Sequence, residues 1–156
     1  MDVVVLAVGK TTKGAEADLC ARYADRAKKL GRTMGVTGLA LKTVAEATGP
    51  TRTDVEGERL LAALPQGFVI ALDERGRQWT STELARSLQG WVDTAIPSVT
   101  FLIGGADGLS SAVKARADIT LALSALTLPH MLAKVIVLEQ IYRAITINIG
   151  HPYHRV

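Results

Sequence analysis

Four residues near the end of the chain carry more chemistry than any other short stretch: His151, Tyr153, His154 and Arg155, gathered around Pro152. Imidazole takes or gives a proton near neutral pH, and a guanidinium neutralises developing negative charge or binds phosphate. Terminal residues usually fray and are unremarkable in composition; here a proline limits their freedom. Arginine with aromatic and imidazole rings suits a nucleobase and its phosphates. A metal is not expected: the two histidines lack helical i,i+4 spacing, and the only cysteine, Cys20, lies far away in the sequence.

Other groups could join this tail. His130 follows Pro129 at a helix start, where the positive end of the helix favours a neutral ring; an ordinary surface histidine fits as well. Glu139 and Arg143 form an i,i+4 pair in the favourable order, which a surface ion pair also explains. Two loops of small or apolar residues precede them. Gly104 and Gly105 follow an apolar run, so bare backbone can approach a ligand there. From the glycines alone, a tight turn without a ligand is the simpler explanation. The segment is neither GxGxxG nor a P-loop. Residues 123–128, Leu-Ser-Ala-Leu-Thr-Leu, are apolar for a loop. They suit either a buried connection or a wall that holds an adenine edge by main-chain hydrogen bonds.

The elements that must position these groups alternate in type. Residues 2–8 (DVVVLAV) form a continuous β-branched run, the pattern of a strand covered on both faces. A loop over 9–14 leads to a helix over 15–30, stopped at Gly31. A weaker strand spans 36–44. Thr53 and Glu56 have capping-box spacing before a helix ending at Pro65, and Thr80 and Glu83 have it before a helix to about 93 with Leu84, Leu88 and Trp91 inward. Strands are expected at 67–72, 99–103 and 119–123, with a turn at 73–76 and a short helix over 110–117. Pro129 opens a last helix as its first residue, running to about 147. The alternation predicts an α/β fold, a mostly parallel five- to six-stranded sheet with helices on both faces, in one domain over 1–156. In such sheets ligands sit outside the carboxyl ends of strands, here at Leu72-Asp73-Glu74, Ile103-Gly104-Gly105 and residues 123–128.

Composition narrows the class. Apolar content of 48% and charged content of 21% suit a soluble globular protein, and aromatics at 4% leave the core to Leu, Val, Ile and Ala. The net charge of +3 is compatible with a polyanionic partner. A single cysteine excludes an internal disulfide framework and suits a reducing compartment. The start lacks a signal-peptide n-region, and Lys134, Glu139, Gln140 and Arg143 interrupt the longest apolar stretch, so a cytoplasmic protein without a membrane span is expected.

IGGADG after a strand, LSALTLPHMLAKVIVLEQIYRA, and the terminal HPYHR together resemble the bacterial RlmH family of ribosomal RNA methyltransferases, in the SPOUT superfamily. The likeness runs the length of the chain and is densest from Phe101 to Arg155. It implies a C-terminal trefoil knot, which general topology rules would not suggest. It implies a homodimer in which one subunit completes the donor pocket of the other, S-adenosylmethionine as methyl donor, no metal, and a pseudouridine of 23S rRNA in the assembled ribosome methylated at N3. The donor site would fall at Leu72, Gly104, Gly105, Leu123, Ser124, Ala125, Leu126, Thr127 and Leu128. His151, Tyr153, His154 and Arg155 would contact the RNA. Of the tail and helix residues, Arg155 or Arg143 would stabilise the deprotonated base and His154 or His130 would take its proton, with Tyr153 beside them. The family more often carries Pro-Glu-Gly after the IGG turn; Ala106-Asp107-Gly108 keeps the acid, shorter by a methylene. The alternative from another class is a non-catalytic ribosome- or RNA-binding module. A receiver domain is excluded, since Gly9-Lys10 and Ser124 stand where its acids and lysine are needed.

Overall fold

The computed structural model describes residues 1–10 and 12–155. Thr11, inside the expected loop 9–14, and Val156 at the end of the tail lie outside the described residues. Five strands and five α-helices alternate: β1 (Asp2–Val8), α1 (Ala15–Gly31), β2 (Gly38–Val44), α2 (Arg52–Ala63), β3 (Phe68–Gln78), α3 (Ser81–Asp93), β4 (Ser98–Ile103), α4 (Ser111–Arg116), β5 (Ile119–Ala122) and α5 (His130–Asn148). The strands form one sheet in the order β2-β1-β4-β3-β5, parallel throughout.

β1 is apolar at nearly every position because it is central and covered on both faces. Val3, Val5 and Ala7 join a core with α1, α3 and α5, while Val4, Leu6 and Val8 join a second core with α2 and α4. Side chains alternate across a strand, so a continuous apolar run serves two cores at once. α3 opens with the expected capping box: Thr80 Oγ1 accepts from the Glu83 N–H, and the Glu83 carboxylate accepts from the Thr80 N–H at 2.7 Å. The side chains of Trp79, Trp91 and Phe68 then pack together at its base, with the Phe68 and Trp91 ring centroids 5.0 Å apart.

Three local expectations are corrected. Thr53 and Glu56 form no capping box: α2 starts after Thr51, and Glu56 turns inward, 5% exposed, to accept from the Ala47 N–H at 2.9 Å. The first helix ends at Gly31 as expected, and a 3₁₀ turn over Arg32–Met34 follows, closed by Gly35 in the left-handed conformation. Residues 73–76 are not a turn. β3 continues to Gln78 with a register break between Leu72 and Arg77, then re-pairs with Leu121 and Ala122 of β5. Gly76 makes this possible, since a Cβ there would lie 2.5 Å from the Leu121 carbonyl carbon. Pro129 caps α5 from outside and is not its first residue; its carbonyl accepts from the Ala133 N–H at 3.0 Å.

Candidate active site

The parallel sheet points all its carboxyl ends one way, and a cavity of about 770 Å³ opens above β3, β4 and β5. That volume falls in the range of small-molecule sites. Its walls are the three strand ends singled out from sequence. Leu72 lies at the end of the regular part of β3, and Gly104 and Gly105 follow β4. Leu123, Ser124, Leu126, Thr127 and Leu128 follow β5. Of the donor residues expected there, Ala125 alone does not line the cavity. His130, in the first turn of α5, does.

The loops are built to hold this shape. After β4 the chain doubles back, with Gly105 and Gly108 bridged and the Gly108 N–H donating to the Gly105 carbonyl at 3.0 Å. Gly104 allows the close return: a Cβ on it would sit 2.4 Å from the Gly108 carbonyl carbon. Asp107 at the tip pairs with Arg52 of α2, and this pairing holds its carboxyl below the usual range. After β5, the Ser124 Oγ accepts from the Leu126 N–H at 2.9 Å, a local turn that sets the loop. Across the gap, the Thr127 hydroxyl donates to the Glu74 carboxylate at 3.5 Å.

Two ionised groups face each other in the cavity wall. Asp73 pairs with Lys114 of α4 and accepts from the Arg75 N–H at 2.9 Å; these bonds push its carboxyl below the ordinary value. Lys114 is not legible in the sequence because nothing local marks a short amphipathic helix as cavity-lining. Asp73 is legible only as part of a strand end.

Beside the cavity, Lys134 of α5 is fully buried and donates to the Gly9 carbonyl at 2.7 Å. Burial pushes its ammonium below the usual lysine value, and burial pushes the neighbouring Cys20 thiol up. This bond ties the first turns of α5 to the carboxyl end of β1. In the sequence, Lys134 registers only as a break in an apolar stretch.

The tail is brought together with Arg143 but not with the cavity. α5 ends in a Schellman turn: Gly150 is left-handed, its N–H donates to the Ile147 carbonyl, and the His151 N–H donates to the Thr146 carbonyl at 2.9 Å. The chain folds back along α5. There the Tyr153 hydroxyl donates to Glu139 at 2.9 Å, and its ring lies 4.6 Å from that of Tyr142. Arg143 grips Glu139 through Nε and Nη2 at 2.9 and 2.5 Å and stacks its guanidinium 4.9 Å from the Tyr153 ring centre. Its Nη1 lies 3.4 Å from His154 Nδ1. Burial, with the bonds to Tyr23 and Glu139, pushes the Tyr153 phenol well above its ordinary value. Arg143 is thirteen residues beyond His130, about 20 Å along the helix. None of His151, Tyr153, His154 and Arg155 lines the cavity.

Among the described residues, no three His, Cys, Asp or Glu side chains gather as metal ligands, and no helix is long and apolar enough to cross a membrane.

Comparison with known proteins places this arrangement. A family model described as predicted SPOUT methyltransferase matches residues 1–154. The "Ribosomal RNA large subunit methyltransferase H" of Methylorubrum populi is 46% identical, covering 99% of this chain and 97% of that protein. The protein of the same name from Rhodopseudomonas palustris is 42% identical, covering 99% of both. A crystal structure of a probable methyltransferase from Bordetella pertussis shares the fold, with a TM-score of 0.54 at 16% identity over 92% of this chain and 93% of that one. The chain belongs to the SPOUT methyltransferase family.

Proposed function

We propose that the chain transfers a methyl group from S-adenosylmethionine to N3 of a pseudouridine in 23S rRNA of the assembled ribosome. The relatives named ribosomal RNA large subunit methyltransferase H support the rRNA substrate. The resemblance of the LSALTLPH and HPYHR segments supports the base and the atom. The cavity fits the donor. It offers main-chain groups at 104–108 and 124–128 and apolar walls for a purine from Leu72, Leu123 and Leu128.

One observation carries the assembly of the site: the tail docks on the middle of α5, Tyr153 on Glu139 and His154 beside Arg143, about 14–20 Å along the helix from His130 in the cavity wall, and none of its residues lines the cavity. A single chain therefore does not bring its own tail to its own donor. We infer a homodimer in which the tail of one copy completes the cavity of the other. α5 supports this. Leu132, Val135 and Ile136 lead into Glu139, Gln140 and Arg143 along one side that no other element fully covers, and Leu132 is 42% exposed. Leu126, at the cavity mouth, is 74% exposed. Such apolar surface next to a site marks an interface. The family resemblance also carries the trefoil knot, and the close passage of β3 over β5 at Gly76 is in keeping with it.

When bound, the donor supplies an electrophilic methyl for in-line displacement; the protein must align the target, exclude water and remove the N3 proton. Arg155, exposed in the described structure, is free to approach the anionic base and its phosphates. Arg143 is bound to Glu139 and acts from there as an anchor for the tail. The His154 contact divides the histidine roles. Arginine has no acceptor, so Nδ1 of His154 accepts and its Nε2 carries the hydrogen. So placed, His154 presents a donor to the target, which leaves His130, already in the cavity wall, to take the proton. Incubating ribosomes with the protein and labelled donor, then mapping the label in the rRNA by mass spectrometry, tests the function. A methyl on N3 of a pseudouridine is expected; label elsewhere, or none, overturns it.

A further inference from the structure

The RNA must be held by more than a tail, and of the cations around the cavity Lys114 and Arg52 are committed to carboxylates, which leaves Arg75 in its wall. The helix next to the docked tail offers more. Tyr23 of α1 lies 6.0 Å, ring to ring, from Tyr142, whose ring in turn lies 4.6 Å from that of Tyr153, so α1 and the tail meet on either side of one aromatic ring. At 100° per residue, Arg26 and Arg22 lie about 60° and about 100° from Tyr23 on one side of the helix. Buried Cys20 and Ala27 lie about 60° and about 40° on the other, toward the core. Arg22 and Arg26 are exposed, and neither makes an ion pair among the described residues. Of the three acids of α1, Asp25 is taken by Lys29 at 2.7 Å; Glu16 and Asp18 lie in the first turn, and neither pairs with Arg22 or Arg26. Arg155 in the tail is exposed as well.

We propose that Arg22 and Arg26 of α1 form a phosphate-binding flank, continuous with the docked tail, that grips the rRNA backbone beside the target nucleotide. This rests on the reading that the tail meets the RNA. Guanidiniums on one exposed helical side, four residues apart, can each neutralise one phosphate, and neither bond reads sequence. Taking away one such cation lowers the salt dependence of binding by about 0.7–0.9 in log–log slope. For the pair the slope falls by about 1.5. Wild-type protein then loses about eightfold more affinity than the variant between 50 and 200 mM salt.

The test measures binding of the full-length protein to assembled ribosomes by cosedimentation across that salt range, beside turnover and donor titration. Arg22→Gln with Arg26→Gln should lower the salt slope by about 1.5 and raise KM for ribosomes. It should leave donor Kd and kcat at saturating ribosomes unchanged. Arg22→Lys with Arg26→Lys should keep the slope. Arg86→Gln, an exposed arginine on α3, serves as control and should change nothing. An unchanged slope in the double Gln variant, or an equal change in the Arg86 control, overturns the proposal. Removing residues 151–156 tests the tail separately: turnover that survives the truncation sinks the tail reading, while ribosome binding still judges the α1 flank.

Discussion

Replacing Gly104 by alanine probes the cavity proposed for the donor at its least forgiving point. A Cβ there would lie 2.4, 2.5 and 2.9 Å from the carbonyl carbon, carbonyl oxygen and Cα of Gly108, all backbone atoms. Ordinary carbon contacts begin near 3.4 Å, so Gly108 must retreat by about 1 Å. It cannot do so freely, because its N–H is bonded to Gly105 and the neighbouring Asp107 is pinned to Arg52. Overpacking of this kind costs about 1–3 kcal/mol. If that strain is released by opening the loop, the wall facing the donor moves by the same distance. Donor Kd should then rise by about 5- to 150-fold, the equivalent of that energy. Isothermal titration with S-adenosylmethionine reads this directly, with thermal melting to separate weakened binding from a weakened fold. Gly90→Ala is the reference: in α3 a Cβ there meets nothing within 4 Å, so donor affinity should stay at the wild-type value. Wild-type donor affinity in the Gly104 variant would refute the claim that the 104–108 loop is a fixed wall of the donor site.

Three further outcomes follow from other interactions. Thr80→Ala removes the capping box of α3 and should cost about 1 kcal/mol, lowering Tm by about 2–4 °C without changing donor affinity. Tyr153 is held neutral by burial and by its bonds to Tyr23 and Glu139, so its folded phenol titrates above the unfolded value. Its contribution is therefore complete below about pH 10 and is lost as pH rises beyond that. In an ultraviolet titration Tyr153→Phe should remove a tyrosine step that ionises late in the wild type. Asp73 is displaced the other way by Lys114: its contribution is present above the ordinary aspartate value and is lost as pH falls through its lowered one. Acid unfolding of Asp73→Asn, followed by circular dichroism, should accordingly depend less steeply on pH below about 4 than that of the wild type.

The legible parts of the fold are those set by local pattern. β1 can be read to its bounds because a β-branched run covered on both faces has no competing explanation. Thr80 with Glu83 and Thr53 with Glu56 share one spacing, yet only the first makes a capping box. Glu56 is drawn inward beneath the Gly105 loop, where a Cβ on Gly105 would lie 2.8 Å from its carboxylate; nothing near it in the chain announces that meeting. The cavity proposed for the donor is legible because strand ends of a parallel sheet converge on one edge. The position of the tail is not. It depends on a left-handed Gly150 that reverses the chain and on Tyr153 finding Glu139, a meeting decided by three-dimensional packing. Lys134 is visible as a charge in an apolar stretch, but its acceptor, Gly9, is 125 residues away.

The central claim is that donor and tail come from different copies. Gly104→Ala and Arg155→Ala chains can be co-expressed with different affinity tags and the mixed dimer isolated, then assayed at a donor concentration well below the Kd of the Gly104 variant, where both parent homodimers turn over slowly. That dimer contains one intact donor cavity facing one intact tail, so it should methylate ribosomes at about half the wild-type rate. A mixed dimer as slow as its parents under those conditions would show that each chain must supply both halves of its own site.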